Sequence, residues 1–304
     1  MNKNYSIELD KLKLNFNKNK IIKNLWRFFK SPFKFTFALI TKFFKLKKEV
    51  RSKSFYDVDF FLCMYDYDAF GIYVSGILNG YNEFKLTKFL VKNLNENQIF
   101  YDIGASYGFY TFLSAILNCE THSFEPNHYI FKFLKKTYEY NQNKFLNKIY
   151  LNNVGLGNKE EKKILYFNPD HSGGGSILKT KEDIDIEKSL NIEIFITTLD
   201  KYVFDLKNKP PSFIKIDAEG YEFFILKGGE LVLKNYKPSV IMEVLPANYG
   251  LIDHTKNSLN FLKSLNYTPY CINENGELSE ISFSEIIQKA EIGLGDNYLF
   301  MLNH

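Results

Sequence analysis

One run, Ile99-Phe100-Tyr101-Asp102-Ile103-Gly104-Ala105-Ser106-Tyr107-Gly108-Phe109-Tyr110-Thr111, constrains this chain more than any other. It starts with a short apolar stretch, Ile99 to Ile103, broken by Asp102 alone. Gly104 to Gly108 read as a tight turn. Phe109, Phe112, Leu113, Ile116 and Leu117 then recur at helical spacing. Strand, glycine turn and helix in this order open a nucleotide-binding α/β sheet. A glycine has no Cβ, so its backbone can approach a ligand closely.

Downstream, strands alternate with helices. Strands are expected at 121–124, 148–154, 213–217 and 240–244, and helices at 128–141, 199–204, 221–233 and 258–265. Segments 163–167 and 193–197 read as an antiparallel pair around a polar loop, His171-Ser172-Gly173-Gly174-Gly175-Ser176. Residues 267–272 and 298–302 read as a closing antiparallel hairpin, with a short helix near 285–289 in its connection. This alternation predicts an α/β fold: a mostly parallel, Rossmann-like sheet with helices on both faces and a terminal antiparallel hairpin. Upstream, 57–65 and 71–78 read as short strands or a hairpin, and 83–94 as a helix covering the edge of the sheet.

Charge divides the chain. Residues 1–53 hold fifteen Lys or Arg against three acids, a net of +12; the remaining 24 basic and 32 acidic residues give −8. We therefore separate a basic, aromatic-rich N-terminal extension (1–53), an entry section (54–98) and a main domain (99–304). Residues 1–20 are polar and rich in Lys and Asn, a composition that predicts disorder. From 21 to 50, cations alternate with Trp26 and a series of phenylalanines, and Pro32 should divide this stretch into a pair of short helices. Such a segment suits a peripheral anionic membrane surface, or packs on the domain with its lysines in water. No nucleic-acid-binding motif accompanies the charge, so no nucleic-acid partner is expected. Cys63, Cys119 and Cys271 lack metal-ligand spacing. They argue against a zinc site or a disulfide framework and fit a reducing compartment. We read no secretory signal and no run of about 20 apolar residues. A cytoplasmic location is expected, with membrane association through 21–50.

Chemistry gathers around the glycine turn. Asp102 ends the first strand, where sheets of this kind bind ligands, and can accept from a ligand amine or hydroxyl. Glu125 ends the second strand 23 residues later. A carboxylate there can accept both hydroxyls of a ribose. A dinucleotide fingerprint needs G-x-G-x-x-G to seat a pyrophosphate. Gly104-Ala105-Ser106-Tyr107-Gly108 lacks the middle glycine. That disfavours an NAD-dependent oxidoreductase and suits S-adenosylmethionine, which has no phosphate. Asp217 ends the 213–217 strand, Glu219 lies two residues on at the rim, and Glu243 ends the next strand. With Lys215 they could form a base site or an oxygen-rich cation site; no metal is assigned. Alternatively, Asp217 and Glu219 cap the following helix. His171 in its glycine loop is a further base, since such loops can close over a substrate.

These motifs resemble the FkbM family of S-adenosylmethionine-dependent methyltransferases. Residues 100–111 resemble its opening motif, with Ser106 where the family usually has Asn. Phe124-Glu125-Pro126-Asn127 resembles the second motif. Gly155-Leu156-Gly157 falls where a short segment usually lies beside the adenine, and Thr198-Leu199-Asp200 resembles a T-L-D segment. The most specific match is Phe213-Ile214-Lys215-Ile216-Asp217-Ala218-Glu219-Gly220-Tyr221-Glu222, continued by Leu226-Lys227-Gly228-Gly229 and then Val240-Ile241-Met242-Glu243. The motifs span residues 80–244, extend to Asp296-Asn297-Tyr298-Leu299-Phe300 and leave out 1–53. The resemblance implies a class I methyltransferase sheet and O-methylation of sugar or polyketide hydroxyls, with S-adenosyl-L-methionine as cofactor. Asp102, Gly104, Ala105, Ser106, Tyr107, Gly108, Glu125, Pro126, Gly155 and Asp217 are then expected at the cofactor. Asp217, Glu219, Glu243, Lys215 and His171 are expected at catalysis. On this reading the chain methylates a hydroxyl of a sugar or glycan acceptor. The alternative is a binding protein that keeps the fold without catalysis.

Overall fold

The computed structural model describes residues 2–13, 20–44, 46–64, 66–178 and 189–302. Three helices come first, α1 (Asn2–Lys11), α2 (Lys20–Lys30) and α3 (Pro32–Phe43). A hairpin follows, β1 (Glu49–Lys53) with β2 (Asp59–Cys63), and then α4 (Tyr67–Ser75) and α5 (Tyr81–Asn93). The alternating region runs β3 (Ile99–Ile103), α6 (Phe109–Ile116), β4 (Glu120–Phe124), α7 (His128–Asn141) and β5 (Ile149–Asn152). A smaller sheet interrupts it, made of β6 (Gly155–Leu156), β7 (Glu161–Asn168), β8 (His171–Ser176) and β9 (Leu190–Thr197). The chain then returns through α8 (Leu199–Phe204), β10 (Phe213–Ile216), α9 (Glu222–Gly228), α10 (Glu230–Tyr236) and β11 (Ser239–Val244). It closes with α11 (Ile252–Ser264), β12 (Thr268–Ile272), β13 (Leu278–Glu280), α12 (Phe283–Glu291) and β14 (Asp296–Met301).

Among the described residues, the central sheet has eight strands in the order β13-β12-β14-β11-β10-β3-β4-β5. The five strands from β11 to β5 are parallel, and β14 runs antiparallel to both β11 and β12. The strand order reverses between β3 and β10, which opens a crevice above their carboxyl ends. This is the mostly parallel, Rossmann-like sheet that the alternation of elements predicts, with the closing hairpin β12–β14 extended by β13.

Side chains of β3 alternate between two cores, as the pleat requires. Phe100 enters a cluster with Leu9, Tyr56, Phe60, Phe84 and Phe112. Tyr101 enters another with Ile214, Leu226, Val240 and Tyr298. The first cluster draws on all three ranges separated above by charge, so the N-terminal extension and the entry section share the core of the main domain.

Four local expectations are corrected. Residues 2–11 form helix α1, against the disorder expected over 1–20; 14–19 lie outside the described residues. Polar composition is overridden by packing: Leu9 and Leu12 are buried, Tyr5 meets the Phe55 ring edge-on, and Lys88 donates to Asp10 at 2.6 Å. Residues 71–75, expected within a strand, belong to helix α4. Asp66 caps it by accepting from Asp68 N, and Gly76 ends it at φ 74°. A short apolar run does not distinguish a buried helix from a strand. The loop His171–Ser176 is strand β8, paired with β7. The expected 221–233 helix breaks at Gly229 into α9 and α10. Pro32 does separate α2 from α3. No disulfide joins the three cysteines, and no helix among the described residues is long and apolar enough to cross a membrane.

Because Leu9 is fully buried, truncating it should leave a cavity. Leu9→Ala is expected to cost about 2–5 kcal/mol in denaturant unfolding. A disordered tail would show no change.

Candidate active site

The carboxyl ends of β3 and β10 meet at two backbone turns. Gly104 has φ 81°, and a Cβ there would stand 1.8 Å from the Asp217 carbonyl oxygen. The two strand ends touch backbone to backbone, so a glycine is required. Around this point lies a cleft of about 330 Å³, within the range of small-molecule sites. Ser106 and Glu219 adopt the left-handed region at φ 50° and 52°, one in each turn facing the cleft.

Of the residues expected at the cofactor, Gly104, Ala105, Ser106, Tyr107, Glu125, Pro126, Gly155 and Asp217 line the cleft. Glu125 is buried. Its Oε2 accepts from Ser106 N and its Oε1 from Asn127 N, both at 2.8 Å. Burial outweighs these bonds and pushes its carboxyl up to about 7. Asp102 and Gly108 stand behind the lining. Asp102 is buried on β3, its Oδ2 accepting from Thr111 Oγ1 at 2.6 Å while Oδ1 has no hydrogen-bond partner. Gly108 begins α6 at φ 85°, and a Cβ there would meet Leu134 at 2.2 Å.

The expected catalytic residues divide into two groups. Lys215, Asp217, Glu219 and Glu243 come together. Lys215 Nζ donates to Asp217 Oδ2 at 2.9 Å and lies 5.0 Å from the Tyr110 ring centroid. Desolvation pulls the Lys215 ammonium down, but Asp217, Asp102 and Glu83 together hold its pKa above the ordinary value. Burial pushes Asp217 up, yet Lys215 more than offsets it and keeps Asp217 ionised. Glu243 goes the other way: burial, with Asp217 and Glu219 beside it, raises its pKa well above normal. A proton on this pair therefore rests by preference on Glu243 rather than on Asp217. Carboxylate oxygens of Asp217, Glu219 and Glu243 lie within 4.8 Å of one another. Glu222, the first residue of α9, folds back on the turn before it, its Oε1 accepting from Ala218 N and Gly220 N.

His171 lines the same cleft but belongs to β8. It stacks on Tyr67 at 5.7 Å and pairs with Asp68 at 3.6 Å. The wall it sits on is pinned by Asp66, which accepts from Tyr107 Oη at 2.8 Å and from both the N–H and the hydroxyl of Ser172. Gly173 N adds a bond to Asp68 at 2.7 Å. Burial and the neighbouring Asp68 push Asp66 up to about 7.

Sequence reasoning missed Glu83, Tyr110, Tyr67, Asp68, Asn79 and Asn127 at this cleft. Glu83 accepts from Tyr110 Oη at 2.6 Å and from Asn297 Nδ2 at 3.2 Å. Its sole sequence signal, an acid in the first turn of a helix, is ordinary. Asn127 was visible as the end of the Glu125 motif. It caps α7 through its Oδ1, while its buried Nδ2 has no partner.

Removing Lys215 would leave the buried Asp102 and the half-buried Glu83 and Asp217 without a counter-charge. Lys215→Met is expected to lose about 3–5 kcal/mol in chemical denaturation at neutral pH. The depressed Asp217 stabilises the wild type above its unfolded pKa and loses that contribution in acid, so the gap between variant and wild type should narrow as the pH falls. A constant gap would place the loss in packing.

The chain matches the family model described as the methyltransferase FkbM domain over residues 102–269. Among solved structures it is similar to a methyltransferase FkbM from Methylobacillus flagellatus KT, at 13% identity and a TM-score of 0.42, covering 97% of this chain and 58% of that one. A putative methyltransferase from Streptococcus mutans in complex with SAH is similar at 13% identity and a TM-score of 0.40, covering 71% of this chain and 94% of that one. A putative rRNA-methylase from Clostridium thermocellum is similar at 9% identity and a TM-score of 0.43, with 75% and 99% covered. The chain thus spans 58% of the length of the first of these structures. No curated protein matches it. With more than half of its residues matched by that one model, the chain belongs to the FkbM family of methyltransferases.

Proposed function

We propose that the chain transfers a methyl group from S-adenosylmethionine to a hydroxyl of a sugar or glycan acceptor. The charge of the cleft carries this reading. Asp68, Glu83, Glu125, Asp217 and Glu219 line it beside a proton-bearing Glu243, against Lys215 as the single lysine and no arginine among the described lining residues. Such a site repels a pyrophosphate and attracts a ligand bearing a sulfonium and an ammonium. The oxidoreductase alternative is disfavoured on the same ground.

The residues fit the rest of that cofactor. The Gly104 turn brings backbone to the cleft, Glu125 offers a carboxylate to ribose hydroxyls, and the unpartnered Asn127 Nδ2 is a donor that a ligand acceptor would satisfy. Gly155, Leu156 and Tyr221 supply an apolar wall for a purine. When bound, S-adenosylmethionine supplies an electrophilic methyl group on a cationic sulfur. Asp217 then serves as base. Lys215 keeps it ionised, and Glu243 shares one proton with it, so the pair can take a second. The acceptor's hydroxyl proton passes to Asp217 as the oxygen becomes the nucleophile. Carboxylates that accept two O–H donors suit a polyhydroxyl acceptor, and Tyr67, Asn79 and His171 extend the hydrogen-bonding wall.

Tritiated-methyl S-adenosylmethionine with a panel of cell-surface glycan fragments tests this. Label should enter the glycan fraction. Asp217→Asn should lower kcat about 10²–10⁴-fold with little change in the KM for the donor. Full turnover in that variant would move the proton transfer elsewhere. Cofactor binding without label on any glycan would favour the binding-protein alternative.

A further inference from the structure

Helices α2 and α3 each present part of their apolar residues to solvent. Phe29 is 77% exposed, Phe33 90% and Phe43 81%, with Ile22, Leu25 and Ile40 also exposed. Packing does not demand this face. The inner side of α3 is already apolar, and Phe35 and Ala38 bury against Met64 and Val74. A helix on a water-facing surface normally turns polar residues outward, so this outer face fits something other than water.

The charges select the occupant. Neither helix contains an acid, while together they carry Lys20, Lys23, Arg27, Lys30, Lys34 and Lys42. A second copy of the same face would set cation against cation, which disfavours self-association. A nucleic acid could stack on the phenylalanines but leaves the aliphatic Ile22, Leu25 and Ile40 in water. Aromatic and aliphatic side chains interleaved with cations are what an anionic lipid surface takes up, with apolar groups below the headgroups and cations among the phosphates.

The same helices border the active-site cleft. Arg27 Nη2 donates to Asn79 Oδ1 at 2.7 Å, and Lys42 Nζ sits 4.9 Å from the Tyr67 ring centroid. Asn79 and Tyr67 both line the cleft. We propose that α2 and α3 dock the protein on an anionic bilayer and hold the cleft mouth at the headgroup layer, so that the acceptor is a sugar carried by a membrane lipid. The docking stands without the methyltransferase reading; the class of acceptor rests on it.

Trp26, the one tryptophan of the chain, lies on α2, half-buried against the core, and reports on the helix from beside the docking face. The full chain should co-sediment with vesicles containing roughly a third phosphatidylglycerol, but not with pure phosphatidylcholine, and should be released by salt. Trp26 fluorescence should shift to the blue and be quenched by brominated lipid. The triple variant Phe29→Glu, Phe33→Glu, Phe43→Glu should bind at least about tenfold more weakly, with an unchanged far-UV spectrum and unchanged binding of S-adenosylhomocysteine. On vesicles, hydrogen exchange should slow in 22–44 and also in the rim segment 77–81. Equal binding to neutral and anionic vesicles, equal binding of the variant, dimerisation through this face, or a duplex DNA probe that competes vesicles away would each overturn the docking. Slowing confined to 22–44 would overturn the placement of the mouth. Failure to bind S-adenosylhomocysteine, with vesicle binding intact, would strike the methyltransferase reading alone.

Discussion

The site depends on one buried cation. Lys215 stands where the strand order reverses and compensates Asp217 directly, with Asp102 and Glu83 within electrostatic reach. Carboxylates taken out of water without such a partner become neutral instead of staying charged. Lys215 therefore decides which acids of the cleft remain ionised. Asp217, bonded to it, is held low, while Glu243, one strand further on, is pushed high. Two carboxyl groups whose environments drive their pKa values apart can divide the work of acid and base.

The rest of the fold holds this arrangement in place. Gly104 lets the two strand ends meet, and α5 brings Glu83 to Tyr110 of α6 beside Lys215. The opposite wall comes from outside the sheet: α4 and β8 are tied through Asp66 to Tyr107 in the glycine turn. Beyond that wall lie α2 and α3. A chain of contacts thus runs from the basic helices, through Asn79 and Tyr67, to the acids at the strand ends.

Much of this was legible in the sequence, and the reasons differ from residue to residue. The turn at Gly104, the acid at Glu125 and the segment from Lys215 to Glu222 are local patterns, and each sits at a strand end where the backbone itself forms the site. The sheet followed from regular alternation. Glu83 and Asp66 were not legible, because each acts through a partner distant in sequence, Tyr110 for one and Ser172 for the other. The first helix was hidden for a related reason: its local composition is polar, and Leu9 finds its core in helices and strands that come much later. Asp102 illustrates the limit of position alone. The strand end was right, but its side chain turns to Thr111 behind the cleft wall.

The central claim is that this cleft takes a sulfonium-type adenosyl cofactor with Glu125 at its ribose. Titration calorimetry with S-adenosylhomocysteine and with NADH across a range of pH tests it most directly. Because burial pushes Glu125 up to about 7, the carboxylate is protonated below that pH and loses its capacity to accept two hydroxyls. The expected result is one-to-one binding of S-adenosylhomocysteine that weakens as the pH falls through 7, a flat pH profile in Glu125→Gln, and no binding of NADH. Binding of NADH without S-adenosylhomocysteine, or an affinity for S-adenosylhomocysteine indifferent to pH, would contradict it.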